Sequence, residues 1–177
     1  MEPTEKLAAQ VVGNVGLYYV CYRLSRLGWN VMPTTRNARG IDVLIYNQDA
    51  TRSFTIQVKA LSKASPVPLG GTLDRLMGDF FIVCRKVRTD APECFVLIPS
   101  EVKSLAHKGE KNGKTSYWLQ PAQYSQERFR DAWSRIGYGA IPEVAVQQSR
   151  SCSHRLRQVW ADPSCYYDRI LHFRLLY

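Results

Sequence analysis

Long apolar runs are missing from this sequence, and no segment approaches the roughly 18 uninterrupted apolar residues of a membrane-spanning helix. The first residues, Met1-Glu2-Pro3-Thr4-Glu5-Lys6, have no apolar stretch behind a basic start, so no secretory signal is read there. The expectation is a soluble, cytoplasmic protein with no membrane partner and no small-molecule cofactor. Paired cysteines are missing too. Cys21, Cys84, Cys94, Cys152 and Cys165 are odd in number and scattered, and none forms a C-x-x-C pair. That speaks against a zinc ribbon or a dithiol redox motif. Cys21 and Cys84 stand in apolar surroundings and read as reduced core residues. Cys152, His154, Cys165 and His172 match no metal-ligand spacing. Acid is in short supply: 15 Asp and Glu stand against 24 Lys and Arg, a formal charge of +9. A basic surface follows, and it favours a polyanionic partner such as nucleic acid.

What is present is an even mixture of helix-like and strand-like segments over 177 residues, enough for one α/β domain and too little for two. Apolar residues at Leu7, Ala8, Val11, Val12, Val15, Tyr19, Val20, Leu24 and Leu27 predict a helix over 5–28, with Thr4 as N-cap and Gly28 as its stop. Gly13 and Gly16 inside it cost helix stability, which predicts a strand packed closely against them. Trp29 to Met32 reads as a short strand. Residues 60–78, with two prolines and three glycines, read as an irregular connection. Residues 79–87 and 93–99 read as two central strands, and Ser100 as the cap of a short helix over 101–105. Residues 107–116, rich in Lys, Gly and Asn, read as an exposed loop before a short strand at 117–119. Phe129, Ala132, Trp133 and Ile136 predict a covering helix over 127–136. From Gly139 onward the periodicity fades. The expected division is a domain over 1–138 and a C-terminal extension over 139–177.

The chemistry concentrates in two β-like runs, Gly40 to Tyr46 and Ser53 to Lys59, joined by turn residues 47–50. Strand alternation puts Gln57 and Lys59 on one face while Ile56 and Val58 point into a core. An Asp opening one strand, facing a polar side chain and a Lys on its neighbour, suits divalent-metal phosphodiester chemistry. The carboxylate and a second oxygen hold a hard cation, and the lysine orients water or steadies charge on phosphate. Taken singly, such residues are ordinary turn and surface residues. Arg36 and Arg39 precede Asp42 in a polar loop suited to phosphate.

The helix around Gly16, Leu27 to Val31, Pro33 to Asn37, Gly40-Ile41-Asp42 and Ile56-Gln57-Val58-Lys59 together resemble the restriction-endonuclease-like superfamily, the PD-(D/E)XK nucleases. The similarity is to its small bacterial, Mrr-like and Holliday-junction-resolvase-like members, and it spans residues 5–137. It implies a restriction-endonuclease-like α/β fold, a central mixed sheet flanked by helices. It also implies a Mg²⁺- or Mn²⁺-dependent DNA endonuclease with Asp42, Gln57 and Lys59 as catalytic residues. Asp42, Gln57 and Val58 are then the metal set, and Arg36, Asn37, Arg39 and Lys63 meet nucleic acid. A homodimer is expected by analogy, since two-strand cutting by such small folds takes two copies. Two acids of the usual three are replaced: Gln57 stands where Glu or Asp is usual, and Leu17 follows Gly16 where many members carry Glu. The alternative implied by those departures is a nuclease fold that binds DNA without cutting it.

Overall fold

The computed structural model describes residues 8–34 and 40–140. Helix α1 (Ala9–Arg26) opens the domain, followed by β1 (Asn30–Pro33), β2 (Val43–Tyr46), β3 (Ser53–Leu61), β4 (Val67–Gly70), β5 (Phe80–Arg85) and β6 (Glu93–Leu97). After these come α2 (Pro99–Leu105), β7 (His107–Lys111), β8 (Lys114–Leu119) and the single turn α3 (Pro121–Tyr124). Five strands form the main sheet in the order β1-β2-β3-β5-β6, and β4, β8 and β7 form a second, three-stranded sheet. In the main sheet β3 and β5 run parallel and every other pair is antiparallel. The architecture is the expected α/β one, a central mixed sheet with helices flanking it.

Each face of the main sheet has its own core, because β5 and β6 are buried almost throughout and offer apolar side chains both ways. On one face Ile56, Ile82, Cys84 and Val96 pack against Val12, Val20 and Leu24 of α1. On the other, Phe81, Val83, Phe95 and Leu97 pack against Val67, Leu119, Val102 of α2 and Tyr124 of α3. Val20 and Leu24 are fully buried, worth about 1.5 to 3 kcal/mol each. Gly16 lets α1 sit directly on β3, since a side-chain carbon there would run into Ala60 and Val87. Gly13 faces open space, so the close approach expected at both glycines exists at Gly16 alone. Gly28, at φ +85°, ends the helix as expected.

Several elements depart from expectation. Residues 60–78 are not merely irregular: β3 runs to Leu61, and β4 follows with Val67 and Leu69 buried and Pro68 and Gly70 exposed. Residues 107–116 are not a loop but most of a hairpin. Asn112 and Gly113, at φ +52° and +67°, make the tight turn between β7 and β8. The helix expected over 127–136 is replaced by two short 3-10 turns, Glu127–Phe129 and Trp133–Arg135. Edge strand β6 has unpaired backbone groups, and the chain at Arg130 turns extended to bridge Phe95 while the Asp131 amide donates to the Cys94 carbonyl. That pairing outweighs the helical spacing, yet Phe129, Trp133 and Ile136 are still buried. β6 is thus an edge strand rather than a central one. Helix α2 starts at Pro99, and Glu101 rather than Ser100 caps it, accepting from the Ile98 amide at 2.9 Å. Thr4 lies outside the described residues. By its contacts the chain divides into residues 1–140 and 141–177; the second unit, with Cys152, His154, Cys165 and His172, lies outside the described residues.

Candidate metal and phosphate site

The site begins where β2 and β3 part. Their ladder pairs Val43 with Ile56, and the Asp42 amide adds one more bond to the Ile56 carbonyl at 2.9 Å. Beyond it the backbone of 40–42 turns away, and the next β3 amide on that side, Val58, would be left without a strand partner. The Asp42 carboxylate takes the place of that strand: its Oδ2 accepts from the Val58 amide at 2.7 Å. A carboxylate is thereby fixed at the residue between Gln57 and Lys59. At the base of the same corner Thr34 donates its hydroxyl to the Ile41 carbonyl and its amide to the Asp42 carbonyl at 2.9 Å. That ties the end of β1 to the start of β2.

Gln57 and Lys59 stand opposite Phe81 and Val83 of β5, on the face turned away from α1. Gln57 is 7% exposed, and its Oε1 is the one buried side-chain polar atom without a hydrogen-bond partner among the described residues. Its amide nitrogen lies toward Gly40, where a side-chain carbon would come within 3.6 Å of it and 3.4 Å of the Arg75 carbonyl. Gly40 has φ +93°, so the turn there favours a glycine. Leaving a buried amide oxygen unpaired costs about 1 to 3 kcal/mol, and a hard cation is one partner that would remove the cost. Lys59 is half-buried and enters no ion pair among the described residues. Lys63 lies two residues beyond the end of β3 and is exposed.

The structure thus brings the Asp42 carboxylate to the backbone of Val58 and places Gln57 and Lys59 on one face either side of it. Leu17 is placed elsewhere. It is half-buried and packs against the core on the α1 side of the sheet, and strand alternation turns Gln57 and Lys59 to the other face. A side chain at 17 therefore belongs to the core beneath the helix. Arg36, Asn37 and Arg39 lie outside the described residues, whose flanks here are Thr34 and Gly40. Among the described residues no group of three or more His, Cys, Asp or Glu could hold a metal. The nearest acid along β5, Asp79, is occupied, accepting from both the amide and the hydroxyl of Thr55 at 2.8 and 2.9 Å. The sequence reading missed this Thr55–Asp79 clamp, which joins β3 to β5 just before Gln57; an Asp leading a strand gave no hint of its partner.

Among the described residues Cys21, Cys84 and Cys94 are free thiols. Cys84 and Cys94 face each other across β5 and β6, both buried. The Cys94 thiol is pushed far up by its hydrogen bond with Cys84 and by burial. Cys21 is pushed up to about 11 by burial, so neither is a ready nucleophile. A cleft between α1 and Trp133, lined by Tyr19, Tyr22, Arg23 and Arg26, lies on the α1 side. There Arg23 is spent on Tyr19, Asp131 and the Trp133 ring.

No helix among the described residues is long and apolar enough to cross a membrane. No family model matches the chain, and no curated protein matches it. Among solved structures it is similar to a bacterial homing endonuclease, at 15% identity over 80% of this chain and 99% of that one, with a TM-score of 0.48.

Proposed function

We propose that the chain is a divalent-metal-dependent DNA endonuclease acting at the parting of β2 and β3. The observation that carries this reading is the unpartnered, buried amide oxygen of Gln57, set one residue from the backbone amide that holds the Asp42 carboxylate. Asp42 and Gln57, with the backbone of Val58, are the residues that would hold Mg²⁺ or Mn²⁺. The metal, when bound, would acidify a water and draw charge from the phosphate. Asp42 supplies the only negative charge of the set, and its bond to Val58 fixes it before any ligand arrives. Gln57 contributes an oxygen without charge. Lys59, with no acid of its own, is left to meet a phosphate oxygen or a water. The basic balance of the chain favours a polyanion as the molecule brought to this corner.

One carboxylate makes a weak metal site, since Mg²⁺ is normally held by one or two carboxylates together with substrate phosphates. The cation and DNA should therefore bind together. The same shortage favours the second reading, a fold that binds DNA without cutting it. Incubating the protein with supercoiled, linear and branched DNA in Mg²⁺, in Mn²⁺ and in EDTA separates the two. Cleavage in either metal and none in EDTA is the expected result. Retarded but uncut DNA in every lane would leave the binding module.

A further inference from the structure

The outward face of the small sheet has no role in the site above, yet its composition is not that of an ordinary solvated surface. Register places His107 opposite Trp118, Gly109 opposite Ser116 and Lys111 opposite Lys114, with Pro68 of β4 on the other side of Trp118. These residues share one face, because Leu119, Val67 and Leu69 between them point inward to the core. Trp118 lies over Gly109, where any side-chain carbon would strike the six-membered ring of the indole. His107 leans against it, tilted by 49° at 4.9 Å between ring centres. The half-buried indole of Trp118 is thus set between Pro68 and the exposed His107, on a glycine that leaves it room.

Beyond it, at the turn, Lys111 and Lys114 are direct cross-strand neighbours. Like charges in that position repel and destabilise a hairpin. Glu110, the one acid of the ribbon, points to the opposite face, and neither lysine enters an ion pair among the described residues. Some cations elsewhere are paired, as Arg23 with Asp131, Arg85 and Lys86 with Glu93, and Arg135 with Glu101, but none of these pairs sets two like charges opposite each other as Lys111 and Lys114 are. A phosphate between Lys111 and Lys114 would turn their repulsion into attraction.

We propose that this face, Trp118 and His107 with Lys111 and Lys114, is a binding platform for single-stranded DNA. The Trp118 ring stacks an unpaired base, His107 flanks it, and the lysine pair holds the backbone. A single strand fits better than a duplex because stacking needs a free base face, which a paired helix hides. The polyanion class rests on the charge complementarity of this face as well as on the nucleic-acid reading of the chain. The small sheet packs on the same side of the main sheet as Gln57 and Lys59, so an unpaired strand near the one site can be gathered by the other.

The test is affinity of the full chain for a labelled oligothymidylate, an oligouridylate and a duplex, measured in EDTA so that cleavage plays no part. Lys111→Ala with Lys114→Ala, both exposed, should lower the slope of log affinity against log salt by about 1.4 for the single strand, roughly 0.7 per phosphate contact. Trp118→Leu should weaken single-strand binding about tenfold, with a melting temperature measured alongside; if that variant does not fold, the lysine pair decides. Unchanged affinity in the lysine pair variant overturns the platform, as does tighter binding of duplex than of oligothymidylate. Preference for oligouridylate would assign the face to RNA and overturn the DNA proposal. Dimerisation that Trp118→Leu abolishes would give the face to a second copy. Because no metal is present, failure of the plasmid assay with single-strand binding intact removes the endonuclease and leaves the platform standing.

Discussion

The bond of Asp42 to Val58 and the metal role proposed for Asp42 can be separated by substitution. Asp42→Asn keeps an oxygen for the Val58 amide but removes the charge, so the protein should melt close to the parent while metal-dependent cleavage is lost. Asp42→Ala leaves that amide unpaired and should cost about 1 to 3 kcal/mol in chemical denaturation. Gln57 gives the opposite sign. Gln57→Leu replaces a buried amide whose oxygen is unpartnered by an apolar group of similar size, and should stabilise the fold by about 1 kcal/mol while abolishing metal-dependent activity. A loss of stability would mean that the amide serves the fold. Glu93 carries a pH signature. Its carboxylate holds Lys86 at 2.7 Å and also Arg85. The hydrogen bond from Lys86 lowers its pKa, burial opposes that, and Arg85 lowers it further. The folded pKa is depressed, so this contribution is full above the ordinary carboxylate range near pH 4.5 and disappears as pH falls through the lowered value. Glu93→Gln should cost about 1 kcal/mol at neutral pH, and the difference from the parent should vanish in acid unfolding curves.

At the scale of elements, the two glycines of α1 make a matched pair. Gly13→Ala meets nothing within contact distance and should stabilise the helix by about 1 kcal/mol. Gly16→Ala drives a methyl into Ala60 and Val87 and should destabilise by about 1 to 3 kcal/mol despite the better propensity. Thermal melts of the two variants check both signs. The pattern of α1, β2, β3 and β5 was legible because each is held by a clean period, 3.6 for the helix and 2 or continuous for the strands. The hairpin β7–β8 was obscured by its lysines, although Asn112-Gly113 is a strong two-residue turn signal. The segment around Phe129 and Trp133 carries true helical spacing. No local rule could show that the backbone at Arg130 and Asp131 would be drawn off to pair with β6, because that is a long-range competition.

For the whole molecule, the face on which a residue lies decides what the sequence alone could not. Asp42, Gln57 and Lys59 were readable as candidates from composition and alternation, and the Asp42 bond to Val58 was not, since it depends on where β2 leaves β3. Leu17 was readable only as the residue after Gly16; its place against the α1-side core follows from which side of β3 the helix covers. Leu17→Glu should accordingly bury a charge among apolar groups, lowering the melting temperature without adding cleavage. With a charge of +9, DNA binding should weaken steeply with salt. For duplex, Lys63→Ala should reduce the slope by about 0.9 if that residue meets one phosphate.

The claim that Asp42 anchors a metal at this corner is tested most directly by one comparison: cleavage of supercoiled plasmid in Mn²⁺ by the parent and by Asp42→Asn, at equal DNA occupancy. The account predicts nicked or linear product from the parent, none from the variant, and closely similar melting temperatures for both. Cleavage by Asp42→Asn at the parent's rate would contradict it.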